Sequence, residues 1–502
     1  MMTLFMSTYR KTKLTKILFL SRECKSMAGN NKYKLSKYVV EVKRRDGYAL
    51  YHSLFGNLCL LDKQSLNLLK SFKNAKTIQV VLKKYESQTV QKKAQDLLKE
   101  FLRREFLIRS GTDEYSEFKK YVKNQNKNID KGKEICIIQL VVTNICNFRC
   151  KYCFVDTAYC SKERTRTQKD PENQMMKKQD AKKYIQTVIK HVKKHDRKNM
   201  FIQFFGGEPL VNWPVIKYVL EEFSDGKKYD IKIRYSIVTN GSLITDEIAK
   251  YFKKYDVAVI VSFDSPLGED RVLANGKNSL QVVKKNIKIL KKYNNRISTN
   301  TAITLKTFQY FDIDLVDFAT QNGIKEIGVV FDFNLEFYKE YSTSKIVGKF
   351  WKFYLYARKN DIVVTGYWHH AFQLILENKH FEKGGYKTCP ATGALLSIEP
   401  SGVVYACKAT SAYFGNMKNF QKIFSSKNYL NYGKHPFRRR AYCKGCEIEN
   451  FCSNICAGVR EKNYHSISKM HEPTCLINKQ LVKNLIKELE PSKLDVFRLV
   501  VS

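Results

Sequence analysis

Residues 146–153 read Cys146-Asn147-Phe148-Arg149-Cys150-Lys151-Tyr152-Cys153. Three thiols within eight residues can turn toward one metal centre when they lie on a loop. The residues before them, 135–142 (ICIIQLVV), are apolar and rich in β-branched side chains, the pattern of a buried strand. The cysteine loop therefore starts where a strand ends. A structural zinc takes four ligands. A cubane iron–sulfur cluster also has four metal corners, so three thiolates leave one iron open to bind something else. On spacing alone, the group fits either a partial zinc site or such a cluster.

Working outward, strand candidates recur at 200–205, 231–238, 257–263, 297–304 and 326–333. Helical periodicity lies between them, near 177–195, 214–224, 245–255, 280–293 and 312–322; Leu280, Val283, Ile287 and Leu290 share one helical face. Six strands alternating with helices predict an α/β fold with a parallel sheet, either an open barrel or a doubly wound sheet. Such sheets bind ligands at the carboxyl ends of their strands. The chemistry-bearing residues fall there: Gly206-Gly207-Glu208-Pro209 after the second strand, Thr239-Asn240-Gly241 after the third, and Ser262-Phe263-Asp264 after the fourth. Two glycines allow close backbone approach. Glu208 offers an acceptor to a cation such as an α-ammonium group. Tyr152 supplies a ring that can pack on a ligand. The plainer alternative is a tight turn before Pro209.

Fourteen cysteines occur in the chain. Cys24, Cys59, Cys136 and Cys160 stand apart and read as small buried hydrophobes. Seven crowd the last quarter: Cys389, Cys407, Cys443, Cys446, Cys452, Cys456 and Cys475. Seven exceed one tetrahedral site and fall one short of two. His435, His465 or His471 could complete a second zinc site, so counting alone leaves zinc open.

The stretches CNFRCKYC (146–153), FFGGEP (204–209), TNG (239–241) and VSFDSP (261–266) resemble the radical S-adenosylmethionine (radical SAM) superfamily over about 137–335. The resemblance implies a partial (β/α)6 TIM-like barrel. It implies that Cys146, Cys150 and Cys153 hold a 4Fe–4S cluster whose free iron chelates S-adenosyl-L-methionine, cleaved to a 5′-deoxyadenosyl radical. Gly206, Gly207 and Glu208 would contact the methionine amino group. Ser236 and Asn240 would meet the ribose, with Tyr152, Pro209 and Asp264 also lining the cofactor. The last seven cysteines match, interval by interval, the SPASM extension of this superfamily. That resemblance implies two auxiliary 4Fe–4S clusters, three clusters in all. Cys389, Cys407 and Cys456 would hold the first, with an open position or a further ligand, and Cys443, Cys446, Cys452 and Cys475 the second.

Composition frames these readings. The 502 residues carry 89 Lys and Arg against 48 Asp and Glu, a formal charge of +41. The lysines are scattered, without the basic stripe and interleaved aromatics of a nucleic-acid face, so the charge reads as background. No apolar run approaches the ~20 residues of a membrane span. The basic segment 1–32 lacks a secretory pattern, which points to a cytoplasmic protein with reduced thiols. The expected organisation is a small domain at 33–115, a polar linker at 116–134, the radical SAM core at 135–340, a helical bridge at 341–388 and the SPASM domain at 389–502.

Residues 36–61 read as strands around the Asp46-Gly47 turn, followed by three helices. This resembles the winged-helix peptide-recognition domains of peptide-modifying radical SAM enzymes, which implies a precursor peptide as substrate. The family also implies an external one-electron donor of the flavodoxin or ferredoxin type. Lys408 follows Cys407 where sulfatase maturases place a proton-accepting Asp. That departure, with an open first auxiliary cluster, favours a peptide cross-link, and a thioether first among them. The alternatives are formylglycine formation, peptide epimerisation and radical SAM modification of RNA.

Overall fold

The structure is a computed structural model that describes residues 30–154, 174–268, 270–332, 334–366, 368, 389–434, 443–452 and 455–499. Residues 1–29, Cys24, Cys160, His435 and the expected bridge beyond Trp368 lie outside the described residues.

The first unit opens with β1 (Tyr33–Leu35) and a meander of β2 (Val39–Arg44), β3 (Gly47–His52) and β4 (Gly56–Leu61). Strands β2 and β3 pair antiparallel around Asp46-Gly47, as the turn signal predicts. Three helices follow: α1 (Lys63–Lys70), α2 (Ile78–Leu82) and α3 (Gln88–Arg103), N-capped by Asp62, Thr77 and Ser87. Helix α3 buries Val90, Ala94, Leu97, Leu98 and Phe101, one face at helical spacing. Strand β5 (Leu107–Arg109) returns to pair with β1.

The expected linker is instead largely a helix, α4 (Glu114–Ile129). Its polar composition hides the buried positions Tyr115, Phe118, Val122 and Ile129, which recur at three-, four- and seven-residue intervals. Asp113 caps it by accepting from the Tyr115 amide at 3.1 Å.

The core strands are β6 (Ile137–Thr143), β7 (Asn199–Gly206), β8 (Lys232–Thr239), β9 (Ala258–Ser262), β10 (Arg296–Ile303), β11 (Glu326–Phe331) and β12 (Val363–Thr365). Helices α5 (Lys178–Lys194), α6 (Trp213–Phe223), α7 (Asp246–Lys254), α8 (Leu280–Lys292), α9 (Asp314–Gln321) and α10 (Thr343–Lys359) alternate with them. The strands lie side by side in chain order and all run parallel. Right-handed crossovers that never reverse direction place the helices on one face, so the sheet curves as a partial barrel rather than a doubly wound sheet. Alternation along the strands agrees. Ile138, Leu140, Ile202, Phe204, Tyr235 and Ile237 join the large apolar core, while the opposite face carries Gln139, Gln203 and Ser236.

The C-terminal region extends this sheet. Strand β13 (Leu395–Ile398) pairs parallel with β6, and β14 (Val403–Tyr405) and β15 (Tyr413–Asn416) continue antiparallel. Pro400-Ser401-Gly402 forms the turn between β13 and β14, where Gly402 N donates to Glu399 O at 2.9 Å. Helices α11 (Lys427–Lys434), α12 (Ala457–Tyr464) and α13 (Glu472–Lys487) follow. Helix α13 lies against α10 and β2, where Arg44 donates to the carbonyls of Ile486 and, at 2.7 Å, Leu489. Beyond it β16 (Val496–Phe497) pairs parallel with β4, so residues from the far end of the chain complete the first unit's sheet. Among the described residues, no helix is long and apolar enough to cross a membrane.

Candidate cofactor and cluster site

The cysteine loop leaves β6 and is clamped by main chain on two sides. On one side, a Cβ on Gly206 would stand 2.3 Å from the Thr143 carbonyl oxygen, and one on Gly207 would stand 2.4 Å from that of Ile145. The Gly207 and Glu208 amides donate to those same carbonyls, both at 2.9 Å. The glycines expected to let a ligand approach thus let the cysteine loop approach. On the other side, the Arg149 amide donates to Val272 O at 2.8 Å, and Ala274 N to Asn147 O at 2.9 Å. The Arg149 guanidinium closes the turn onto the carbonyls of Cys146 (2.8 Å) and Phe148 (2.9 Å).

Glu208 is fully buried. Its carboxylate accepts from Leu210 N (3.1 Å), Thr239 Oγ1 (2.7 Å) and Asn240 N (2.6 Å). It therefore bolts the end of β7 to the end of β8. Three donors use three of its roughly four lone-pair sites. Burial pushes its pKa up to about 7, against the pull of these hydrogen bonds. Pro209 starts a short 3-10 turn that Glu208 caps. The Asn240 amide is taken up locally: it donates to Asn147 Oδ1 at 2.8 Å and accepts from Ser242 N and Oγ at 2.9 and 2.7 Å. Ser236 differs. Its hydroxyl is buried without a hydrogen-bond partner among the described residues, on the polar face of β8 opposite Gln203.

Tyr152 donates to both Asp264 carboxylate oxygens, at 2.9 and 3.0 Å, and accepts from Arg271 Nη1 at 3.2 Å. The amides of Asp270 and Ala302 also donate to Asp264, each at 3.3 Å. Burial raises the Asp264 pKa, while the Arg271 cation opposes it. The cysteine loop, β9 and β10 are thus tied by a half-buried phenol against a buried carboxylate and guanidinium.

The later cysteines separate into two neighbourhoods. Burial pushes the Cys389 thiol up to about 12, with Cys456 adding to the rise and Arg460 opposing it. The buried phenol of Tyr432 is raised by burial first, then by Glu461, and then by Cys407 and Cys456. A Cβ on Gly458, in the first turn of α12 after Cys456, would stand 2.2 Å from the Ala409 carbonyl, so the Cys407 loop rests on that turn. Cys475 lies in the other neighbourhood. Burial pushes it up to about 12, followed by Cys452, Cys443 and Cys446. The described isolated cysteines, Cys59 and Cys136, are buried as small hydrophobes.

Lys408 joins the two ends of the site. Its side chain is 1% exposed. The ammonium donates to Asn144 Oδ1 at 2.6 Å, two residues before Cys146, and pairs with Glu399 at 3.2 Å. Its amide donates to Gln139 Oε1 at 2.7 Å, and Gln139 donates to Gln203 at 2.9 Å. Sequence reasoning missed Asn144, Asn147, Arg271 and Glu399. Asn144, Arg271 and Glu399 belong to no motif and carry no signal until the fold buries them, and Asn147 sits inside the cysteine motif with nothing in the spacing to mark its role.

The chemistry of the donor set suits a cluster and S-adenosylmethionine: three thiols share the clamped loop after β6, Cys146 buried and Cys150 and Cys153 half-buried, an unpartnered serine hydroxyl lies on the polar face of the sheet, and Glu208 keeps one acceptor position. Among the described residues, no three His, Cys, Asp or Glu side chains stand close enough together to hold one metal ion. A strand-ordered α/β core with this site defines a class. Residues 140–319 match the family model of the radical SAM superfamily, and residues 389–447 that of the SPASM iron–sulfur cluster-binding domain. The chain belongs to the radical SAM superfamily and carries a SPASM domain. It is 41% identical over 462 residues to the radical SAM cyclopropyl synthase TigE of Paramaledivibacter caminithermalis, covering 92% of this chain and 97% of that one. It is 26% identical over 358 residues to a cysteine-type anaerobic sulfatase-maturating enzyme of Clostridium novyi, covering 66% of this chain and 90% of the relative. The fold is similar to that of Streptococcus suis SuiB bound to the precursor peptide SuiA. The TM-score is 0.50 at 15% identity, covering 88% of this chain and 99% of that one.

Two outcomes follow from this geometry. In the cofactor-free protein, a Glu208 pKa raised from 4.5 to about 7 means that the folded state holds a proton the unfolded state has lost. Stability from this group is therefore greatest below about pH 4.5 and falls as pH rises through about 7. Relative to Glu208→Gln, the wild type should lose about 3 kcal/mol of unfolding free energy across that window. A pH-independent difference in denaturant titrations would contradict this. Lys408→Met takes the buried ammonium from Glu399 and should cost about 3–5 kcal/mol. Adding Glu399→Gln should recover more than half of that loss in the same titration, and additive losses would exclude the coupling.

Proposed function

We propose that this protein is a radical SAM/SPASM enzyme that closes a cyclopropane ring on a side chain of a ribosomally made precursor peptide. The carrying observation is the 41% identity, over nearly the whole length of both chains, to a protein named a cyclopropyl synthase. The fold shared with a protein solved on its precursor peptide supports a peptide substrate.

In this reading Cys146, Cys150 and Cys153 hold the SAM-binding cluster. Ser236 offers its hydroxyl to the ribose, and Glu208 offers its remaining acceptor position to the methionine amino group. Gly206, Gly207 and Pro209 shape that turn. Asp264 and Arg271 hold the Tyr152 ring toward the cofactor, while the Asn240 amide holds the cysteine loop through Asn147. Cys389, Cys407 and Cys456 ligate one auxiliary cluster, and Cys443, Cys446, Cys452 and Cys475 the other. When bound, S-adenosylmethionine and its cluster supply a 5′-deoxyadenosyl radical that takes a hydrogen atom from the substrate. An external one-electron donor provides the reducing electron.

Closing a ring between two saturated carbons removes two hydrogens. A thioether removes two as well, but it joins a cysteine sulfur to another residue. The named relative favours the ring. The ammonium of Lys408 stands where a formylglycine-forming enzyme needs a base, and it is already engaged with Glu399.

Turnover with the precursor should give a product lighter by two hydrogens. Tandem mass spectrometry should place that loss within one aliphatic residue, with every cysteine still open to alkylation. A loss shared between a blocked cysteine and a second residue would mean a thioether. Unchanged mass with deuterium taken from solvent would mean epimerisation. Either result would reject the cyclopropane.

A further inference from the structure

Residues 443–452 carry Cys443, Cys446 and Cys452 and lie between two other parts of the chain. On one side is α13, which bears Cys475. Its Lys483 pairs with Glu447 at 3.1 Å, and its Asn478 donates to Cys452 Sγ at 3.7 Å. On the other side is the turn between β3 and β4 of the first unit. Asn450, 2% exposed, donates to that turn twice, from its amide to Ser53 O at 3.0 Å and from its side chain to Leu54 O at 2.6 Å. Tyr51 Oη donates to Glu447 O at 2.9 Å, and its ring meets that of Phe451 edge-on with 5.5 Å between centres. Lys444 stands 5.2 Å over the Tyr115 ring.

The turn has its own support. His52 is fully buried, and its Nδ1 accepts from the Leu54 and Phe55 amides, both at 3.2 Å. The ring proton therefore sits on Nε2, 3.0 Å from Glu114 Oε1 and 3.1 Å from Ser36 Oγ. Ser36 also donates to Glu114, and all three side chains are buried. A buried polar group of this kind is costly unless every member is satisfied. What it fixes is the direction of two main-chain carbonyls, and Asn450 donates to both.

We propose that this turn is a positioning device for the cysteine loop: His52 holds the turn, and the turn, through Asn450, holds the backbone between Cys446 and Cys452. His52 and Asn450 are then positioning residues for the second auxiliary cluster, which the first unit helps to enclose. That a cluster is bound here rests on the proposed function; the hold on the loop does not. Losing the hold should loosen this one cluster and leave the other two as they are.

The test uses the full chain after anaerobic reconstitution with iron and sulfide. Hydrogen exchange of residues 446–452 is followed by mass spectrometry, and iron loss to a chelator is timed. Asn450→Ala should speed exchange in that segment about tenfold, the size expected for one lost hydrogen bond. About four of roughly twelve iron atoms should leave about fivefold faster or more, with the rest unchanged. Adding Cys443→Ala/Cys452→Ala should remove that fast phase. His52→Ala should behave as Asn450→Ala does. His52→Asn, whose side-chain oxygen can accept from amides a short way along the turn, should restore slow exchange and slow release. A chain that is simply less stable would lose all its iron alike, so uniform acceleration would overturn the proposal. Equal rates in wild type and both alanine variants would overturn it too, as would His52→Asn behaving like His52→Ala. Exchange and rescue as described, with the same iron content whether or not Cys443 and Cys452 are present, would uphold the hold on the loop and instead reject the cluster assignment.

Discussion

The main chain of Gly206 and Gly207 lies directly against the carbonyls of Thr143 and Ile145, in space that any Cβ would occupy. That contact sets the end of β7 against the start of the cysteine loop. Glu208 follows at once, and its carboxylate reaches only as far as Thr239 and Asn240. Asn240 then reaches back to Asn147, inside the cysteine motif. The three strand ends therefore close a circuit of hydrogen bonds around the loop. A side chain at either glycine would push the loop away and leave Glu208 buried against fewer donors. The acidic residue is costly to bury, and the circuit is what makes its burial tolerable.

The same logic links the core to the C-terminal region. A partial barrel with a polar inner face needs partners for Gln139 and Gln203. They pair with each other, and the Lys408 amide completes the set. The Lys408 ammonium is held by Asn144 from the core and Glu399 from the added hairpin. Strand β13 continues the core sheet in parallel, so these contacts sit at one level of one sheet. The loops bearing Cys146 and Cys407 are consequently fixed relative to each other by a single buried cation. Under the proposed cluster assignment, such rigidity would keep the separation between the two cluster sites constant.

Much of this was legible in the sequence. Strands β6 to β11 announce themselves as apolar, β-branched runs, and the residues at their ends are those the fold gathers. The spacing of the later cysteines, read alone, leaves zinc open, and their division into two sets comes from the family resemblance. What stayed hidden has a common cause. Helix α4 is polar on most of its surface, and its few buried positions do not stand out from a linker. Strand β16 is two residues long and pairs with a strand more than 400 positions away, beyond any local periodicity. Arg271 and Glu399 are ordinary polar residues until long-range packing buries them, and Asn147 gains its role only when Asn240 is brought beside it. Lys408 stood out only as a departure from a related pattern, and its role in joining two loops needed the fold.

The central claim is that ten cysteines form three separate cluster sites, one of which serves S-adenosylmethionine. Iron analysis of anaerobically reconstituted protein tests it most directly. The wild type should hold about twelve iron atoms per chain, and Cys146→Ala/Cys150→Ala/Cys153→Ala about eight, with 5′-deoxyadenosine formation abolished. About four iron atoms in the wild type, with zinc accounting for the remaining cysteines, would contradict the account. So would 5′-deoxyadenosine at wild-type levels from the triple variant.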